Sequence, residues 1–313
     1  MKGHKTLTLA NFNCLFSIND EDYPMLDFFN IIRKASLSDK KYRGMFLYDT
    51  KIIETKTMGY CLYGKIVKDT QLEINSRYNK ETYILEELSK TEVHQSSPYS
   101  EFILILKNHR LLFTPSQKGS PTVSNLRSVF KSNITDILRD CNRKKEEKDK
   151  LLLKFFDIIE LPRKTNILNE LNEFEKISSF SLTFFQLNND ILNNFFDSAQ
   201  KVKAEMKSSE MTQQFKNPQD RKLIAKMIQK TDGMVDIELK ANKKGEAEKT
   251  YKNNDFKERV EMDLPDFLSL EENIQLLIDQ KLDDNRIKRV SRDNQSAYER
   301  FIEKMKKIGE KLF

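Results

Sequence analysis

Residues 101–114 (EFILILKNHRLLFT) hold two unbroken apolar runs, Phe102 to Leu106 and Leu111 to Phe113, on either side of Lys107-Asn-His-Arg110. A strand points successive side chains to opposite faces, so a run without polar alternation is at home only where both faces are covered. The four polar residues between the runs have the length and chemistry of a hairpin turn, and His109 reads as one of its polar loop residues. The chain must therefore build layers around an interior strand pair.

The flanking periodicities supply them. Residues 5–18 alternate as a first strand, and Tyr23, Leu26, Phe29, Ile31 and Ile32 follow with helical spacing. From Arg43 to Ile74, short β-like runs (GMFLYD, GYCLYGKIV, QLEI) are separated by Gly and charged turns. After the loop at 115–121, Leu126, Val129, Phe130, Ile134, Ile137 and Leu138 predict a helix running from Ser124 to about Glu160, either single or broken near Asn142. Leu161-Pro162 ends it. Asn166 to Phe196 mixes a short amphipathic helix with the β-rich SSFSLTFFQL, residues 198–208 alternate like a strand, 218–230 read as a helix opening at Pro218, and 233–252 as a hairpin across Asn242-Lys-Lys-Gly245. Two amphipathic helices close the chain, near 267–282 and along Tyr298, Phe301, Ile302, Met305, Ile308 and Leu312, the latter serving as core or as a dimer seam. The expectation is an α+β fold, mixed or antiparallel sheets with packed helices, in two domains, 1–160 and 161–313.

Charge is sorted along the chain. Lys201 to Arg259 carries 15 Lys/Arg against 10 Asp/Glu, whereas Asn166 to Gln200 carries 1 against 5. The net value of +6 would not by itself point to nucleic acid, so distribution carries the argument. On the strand reading, Lys201 and Lys203 share a face; Lys222, Lys226 and Lys230 share a helix face at i, i+4 spacing; Lys243 and Lys244 sit at a hairpin tip, with Lys249 and Lys252 on its return. These nine lysines are the candidate DNA-binding set, against the plainer reading of solvated faces. Only Phe215, Tyr251 and Phe256 are aromatic in the segment, which favours a backbone clamp on a duplex over a stacking platform for single strands.

Catalytic patterns are sparse. Asp236-Ile-Glu238-Leu-Lys240 with upstream Asp220 matches the spacing of Mg²⁺-dependent nucleases of the PD-(D/E)xK type, yet a half-exposed strand with Val235, Ile237 and Leu239 inward produces the same letters. His4, His94 and His109 lie far apart without metal-ligand spacing, and Cys14, Cys61 and Cys141 form neither a disulfide framework nor a thiolate zinc site. The 8 glycines include no dinucleotide or P-loop motif, so no cofactor and no metal is expected. The charged run 143–150 alternates in sign as a solvated helix face does. An N-terminus without a signal-peptide apolar core and isolated cysteines give cytoplasmic residence as the expectation.

The segments EFILILKNHRLLFTPSQKGSPTVSNL (101–126), FFDSAQKVKAEMKS (195–208) and DGMVDIELKANKKGEAEKTY (232–251) resemble, in order and spacing, the RexA phage-exclusion family of lambdoid phages and, more distantly, the KwaB component of the Kiwa anti-phage system. The resemblance implies a DNA-binding homodimer in phage defence that signals to a small membrane-protein partner. It defines no catalytic residue, and the charged stretch 140–165 has no counterpart in it. Two other classes stand beside it: the nuclease using Asp220, Glu238 and Lys240, and a protein-interaction scaffold.

Overall fold

The computed structural model describes residues 2–79, 81, 83–187, 194–265, 276, 278 and 285–309. The fold is α+β, and every strand pairing among the described residues is antiparallel. The chain opens with a 17-residue strand, β1 (Lys2–Ile18), then β2 (Glu21–Pro24), helix α1 (Phe29–Ser36), β3 (Met45–Thr55), β4 (Gly59–Lys68), the two-stranded pair β5 (Thr70–Asn79) and β6 (Ile84–Ser96), and the interior pair β7 (Tyr99–Ile105) and β8 (Arg110–Pro115). Helix α2 (Val123–Asn142) and strand β9 (Leu152–Glu160) complete this part.

The apolar runs at 101–114 do line an interior. Phe102, Leu104, Leu111 and Phe113 face a core under α1 and α2, while Ile103, Ile105 and Leu112 face a second one on the other side of the sheet. The turn between them places His109 in the left-handed region (φ 57°) and buries it, and the His109 carbonyl accepts from Phe12 N at 2.8 Å. It is thus a buried turn residue and not a solvated loop residue. Helix α2 starts where its cap permits: Thr122 Oγ1 accepts from Asn125 N at 3.3 Å and Asn125 Oδ1 accepts from Thr122 N at 2.8 Å, satisfying two otherwise orphaned donors.

Beyond 160 the chain builds a separate core. Helix α3 (Ile167–Asn172), β10 (Phe174–Phe185), α4 (Asp197–Glu205), β11 (Glu210–Lys216), α5 (Arg221–Lys230), β12 (Asp236–Lys243) and β13 (Lys249–Lys252) form a four-stranded sheet, order β11-β10-β12-β13, with the three helices on one face. The chain then returns to the first part. Strand β14 (Arg259–Pro265) pairs with β1 from Lys2 to Thr8, α6 (Asn285–Lys288) buries Ile287 in the second core, and α7 (Arg292–Gly309) sets Ala297, Tyr298 and Phe301 into the first. The division at 160 is therefore one of two crossings, the other falling near 258. Of the terminal helices, 292–309 commits Tyr298, Phe301 and the partly buried Ile302 to the core, while the side chains of Met305 and Ile308 and all of Leu312 lie outside what is described; the helix expected at 267–282 lies outside the described residues apart from Leu276 and Ile278.

Two expectations are corrected. Helix α2 ends at Asn142 as one alternative held, but 152–160 is not a second helix: it is β9, paired with Ala10 to Ser17 of β1. The aromatic and β-branched run Phe155, Phe156, Ile158 and Ile159 fills an edge that β1 leaves open, and ladder pairing outweighs the weak helical spacing. Residues 197–205 are a helix and not a strand. The buried positions Phe196, Ala199 and Lys203 stand at i, i+3 and i+7, a period that serves the core beneath, whereas the alternation would have buried Val202, which is exposed.

Candidate nucleic-acid interface

Helix α5 is the clearest element of the basic segment. Asp220 caps it, its carboxylate accepting from Leu223 N at 2.9 Å, so the helix begins at Arg221, three residues past Pro218. Arg221 ties that end down by donating to the carbonyls of Asn172 and Glu175, both at 3.2 Å. Ile224, Ala225 and Ile228 are buried against the sheet. The opposite side leaves Lys222, Lys226 and Lys230 exposed, one turn apart, spanning about 12 Å from first to last. None of the three is in a salt bridge among the described residues; Lys226 lies over the Phe195 ring at 5.4 Å.

The other six candidate lysines are not equivalent. With 197–205 helical, Lys201 and Lys203 no longer share a face: Lys201 is exposed, while Lys203 is buried, and that burial, with Lys154 nearby, holds its ammonium below the usual lysine range. Lys243 donates to Glu173 at 2.5 Å and Lys249 to Glu246 at 2.6 Å, so both charges are already matched at exposed sites. Lys244 is exposed at the hairpin tip beside Gly245 (φ 76°). Lys252 is opposite Glu238 and on the sheet face turned away from the helices, with Lys240 opposite Thr250 on that same face. Lys201 on α4 and Lys222, Lys226 and Lys230 on α5 are thus the exposed lysines of the helix layer, which covers one face of the sheet, and the strand lysines belong elsewhere.

The α5 row ends in a cleft that sequence reasoning did not find. About 350 Å³ in volume, it is lined by Arg110 at the start of β8, Lys164 after β9, Lys230, Asp232, Arg286 of α6 and Arg289. Asp232 (φ 49°) and Gly233 (φ 71°) turn the chain here. A Cβ on Gly233 would sit 2.9 Å from the Ile159 carbonyl, which is why the turn presses so closely on β9. The cleft's cations come from segments up to 179 residues apart, so only weak local hints existed: the basic turn at 107–110 and the run Arg286-Ile-Lys-Arg289.

The nuclease residues are placed by ordinary structure. Asp220 is a helix cap, and Glu238 and Lys240 are neighbours on one strand face, 3.7 Å apart as an ion pair. Among the described residues, no three His, Cys, Asp or Glu side chains converge as metal ligands. Cys14 and Cys61 are buried, and burial pushes the Cys61 thiol up to about 12. No helix among the described residues is long and apolar enough to cross a membrane.

A second cleft, about 430 Å³, lies between α2, the end of β9 and the turn after β13, where Arg127, Lys252 and Lys257 meet Asp157, Glu160 and Asp236. Burial raises the Glu160 carboxyl above the ordinary range, against Lys257 at 3.8 Å. A raised folded-state value means that the folded chain holds the proton more tightly than the unfolded one. Stability from this group is present below the unfolded carboxylate range and lost as pH rises through the folded value. Glu160→Gln should therefore gain thermal stability relative to wild type between pH 4 and pH 7. A melting-temperature difference that stays constant or shrinks over that range would contradict the assignment.

No protein-family model and no curated protein matches this chain.

Proposed function

We propose that the chain binds double-stranded DNA through its phosphate backbone, without reading bases, and that the exposed lysines of the helix layer, Lys201, Lys222, Lys226 and Lys230, make the contacts. The observation that carries this reading is the α5 row: three ammonium groups on one exposed helix side, anchored from beneath by Ile224, Ala225 and Ile228, with no carboxylate in salt-bridge contact among the described residues. A row of this kind supplies electrostatic attraction and positions a duplex, and it offers none of the bidentate Arg, Asn or Gln geometry that would discriminate base pairs. Together with the RexA-like resemblance, the reading extends to a phage-exclusion factor that acts as a homodimer and signals to a small membrane-protein partner.

Mobility shifts on a duplex of about 30 base pairs at rising salt test it, because each phosphate-contacting lysine contributes about 1 to the slope of log affinity against log salt. The variant K222A/K226A/K230A should lower the magnitude of that slope by about 3, while K243A/K249A, whose charges are already paired, should change it little. An unchanged slope in the triple variant would remove α5 from the interface. No binding even at low ionic strength would leave a protein-interaction scaffold as the better reading.

A further inference from the structure

The cleft at the end of α5 differs in kind from the exposed lysine row. Its basic groups converge from four separate parts of the fold, and two of them are held in place. Arg110 is 6% exposed; its Nε donates to the Arg286 carbonyl at 2.9 Å and its Nη1 to the Asp232 carbonyl at 3.0 Å. Arg286 in turn donates to the Pro162 carbonyl at 2.6 Å and to Glu258. Lys230 and Arg289 add charge at the rim with no salt bridge among the described residues, and Asp232 is the one carboxylate in the lining. Beneath the Asp232–Gly233 turn, Asn11 is paired across the ladder with Arg110. It is fully buried, and its amide finds no hydrogen-bond partner among the described residues.

Converging cations repel one another, and the repulsion is strongest where water is partly excluded. The arrangement is favourable when an anion sits among them. Guanidinium groups fixed by backbone carbonyls and, for Arg286, by Glu258 are held ready to donate their remaining N–H groups to the oxygens of a phosphoryl group. A volume of about 350 Å³ is within the range of small-ligand sites and far exceeds what one phosphate needs.

We propose that this cleft is a binding site for a phosphomonoester, supplied either by a mononucleotide or by the terminal phosphate of a nucleic-acid strand. The site is independent of backbone binding by Lys222 and Lys226, and either can fail without the other.

Calorimetric titration of the full chain with inorganic phosphate and with AMP, and binding of duplexes with and without 5′-phosphates, test the proposal. Arg289→Ala and Lys230→Ala should each weaken AMP binding about tenfold or more, the loss expected for one charge-assisted hydrogen bond. Asp232→Asn, which keeps a side chain tolerant of positive φ, should strengthen it, and Lys222→Ala should leave it unchanged. AMP binding with no preference between duplex ends identifies a free ligand. A preference for phosphorylated ends that Arg289→Ala abolishes identifies a strand terminus. The proposal is overturned if the wild type binds none of these probes, or if Arg289→Ala and Lys230→Ala bind them as the wild type does.

Discussion

Replacing Phe130 with Ala should destabilise the chain by about 3–5 kcal/mol, the range for truncating a fully buried aromatic. Phe130 is 0% exposed and enters the first core from α2 together with Leu126, Val129 and Ile134. Its ring meets Phe12 of β1 edge-on at 5.4 Å and Phe102 of β7 at 5.7 Å, so the loss removes contacts to two strands at once. A cavity bounded by hydrogen-bonded strands collapses poorly, which places the effect toward the upper part of the range. Urea unfolding reads this as a lower midpoint at unchanged slope, and Met206→Ala, at 75% exposed, provides the near-neutral comparison. A loss below about 1 kcal/mol for Phe130→Ala would mean that α2 is not seated on the sheet as described.

Gly59→Ala is expected to be comparably severe, for a different reason. Gly59 has φ 70°, and a Cβ there would lie 2.1 Å from Tyr298 Oη and 3.0 Å from its Cζ. Tyr298 cannot simply swing away: it is 5% exposed, and its hydroxyl accepts from Tyr60 N at 2.7 Å. Left-handed backbone strain, an overpacked contact and a lost hydrogen bond together give about 3–5 kcal/mol. Tyr298→Phe separates these contributions. It removes the closest contact, so the double variant should be less destabilised than the sum of the two single changes. Strict additivity would show that the hydroxyl is not the obstacle. Because Tyr298 belongs to α7, the same measurement reports how tightly the C-terminal helix holds the first core.

Much of the fold is legible locally. The unbroken apolar runs 102–106 and 111–113 indicate burial on both faces, and the sheet has a core on each side. The Asn242-to-Gly245 turn chemistry predicts the β12–β13 hairpin, whose register pairs Ala241 with Lys249. Alternation likewise predicts that Ile237 and Leu239 point inward and Glu238 and Lys240 outward. Reading 198–208 as a strand failed because three lysines and a glutamate between small residues alternate by composition; which of them is buried depends on the sheet below. Reading 152–160 as helix failed because the open edge of β1 lies about 140 residues earlier in the chain.

The candidate site divides the same way. That α5 is a helix with lysines on one side follows from i, i+4 spacing, a property of the segment alone. Whether a given lysine is free does not: Lys243 is matched by Glu173, 70 positions away, and Lys203 is buried by its helix's docking. By itself the sequence determined periods, turns and the sorting of charge, because these depend on neighbours within one or two turns of chain. The tertiary structure decided which charges are paired and where the basic groups converge. Arg110, Lys230 and Arg289 become one electrostatic site only when distant segments are packed together, since Coulomb interaction follows distance in space and not position in the chain.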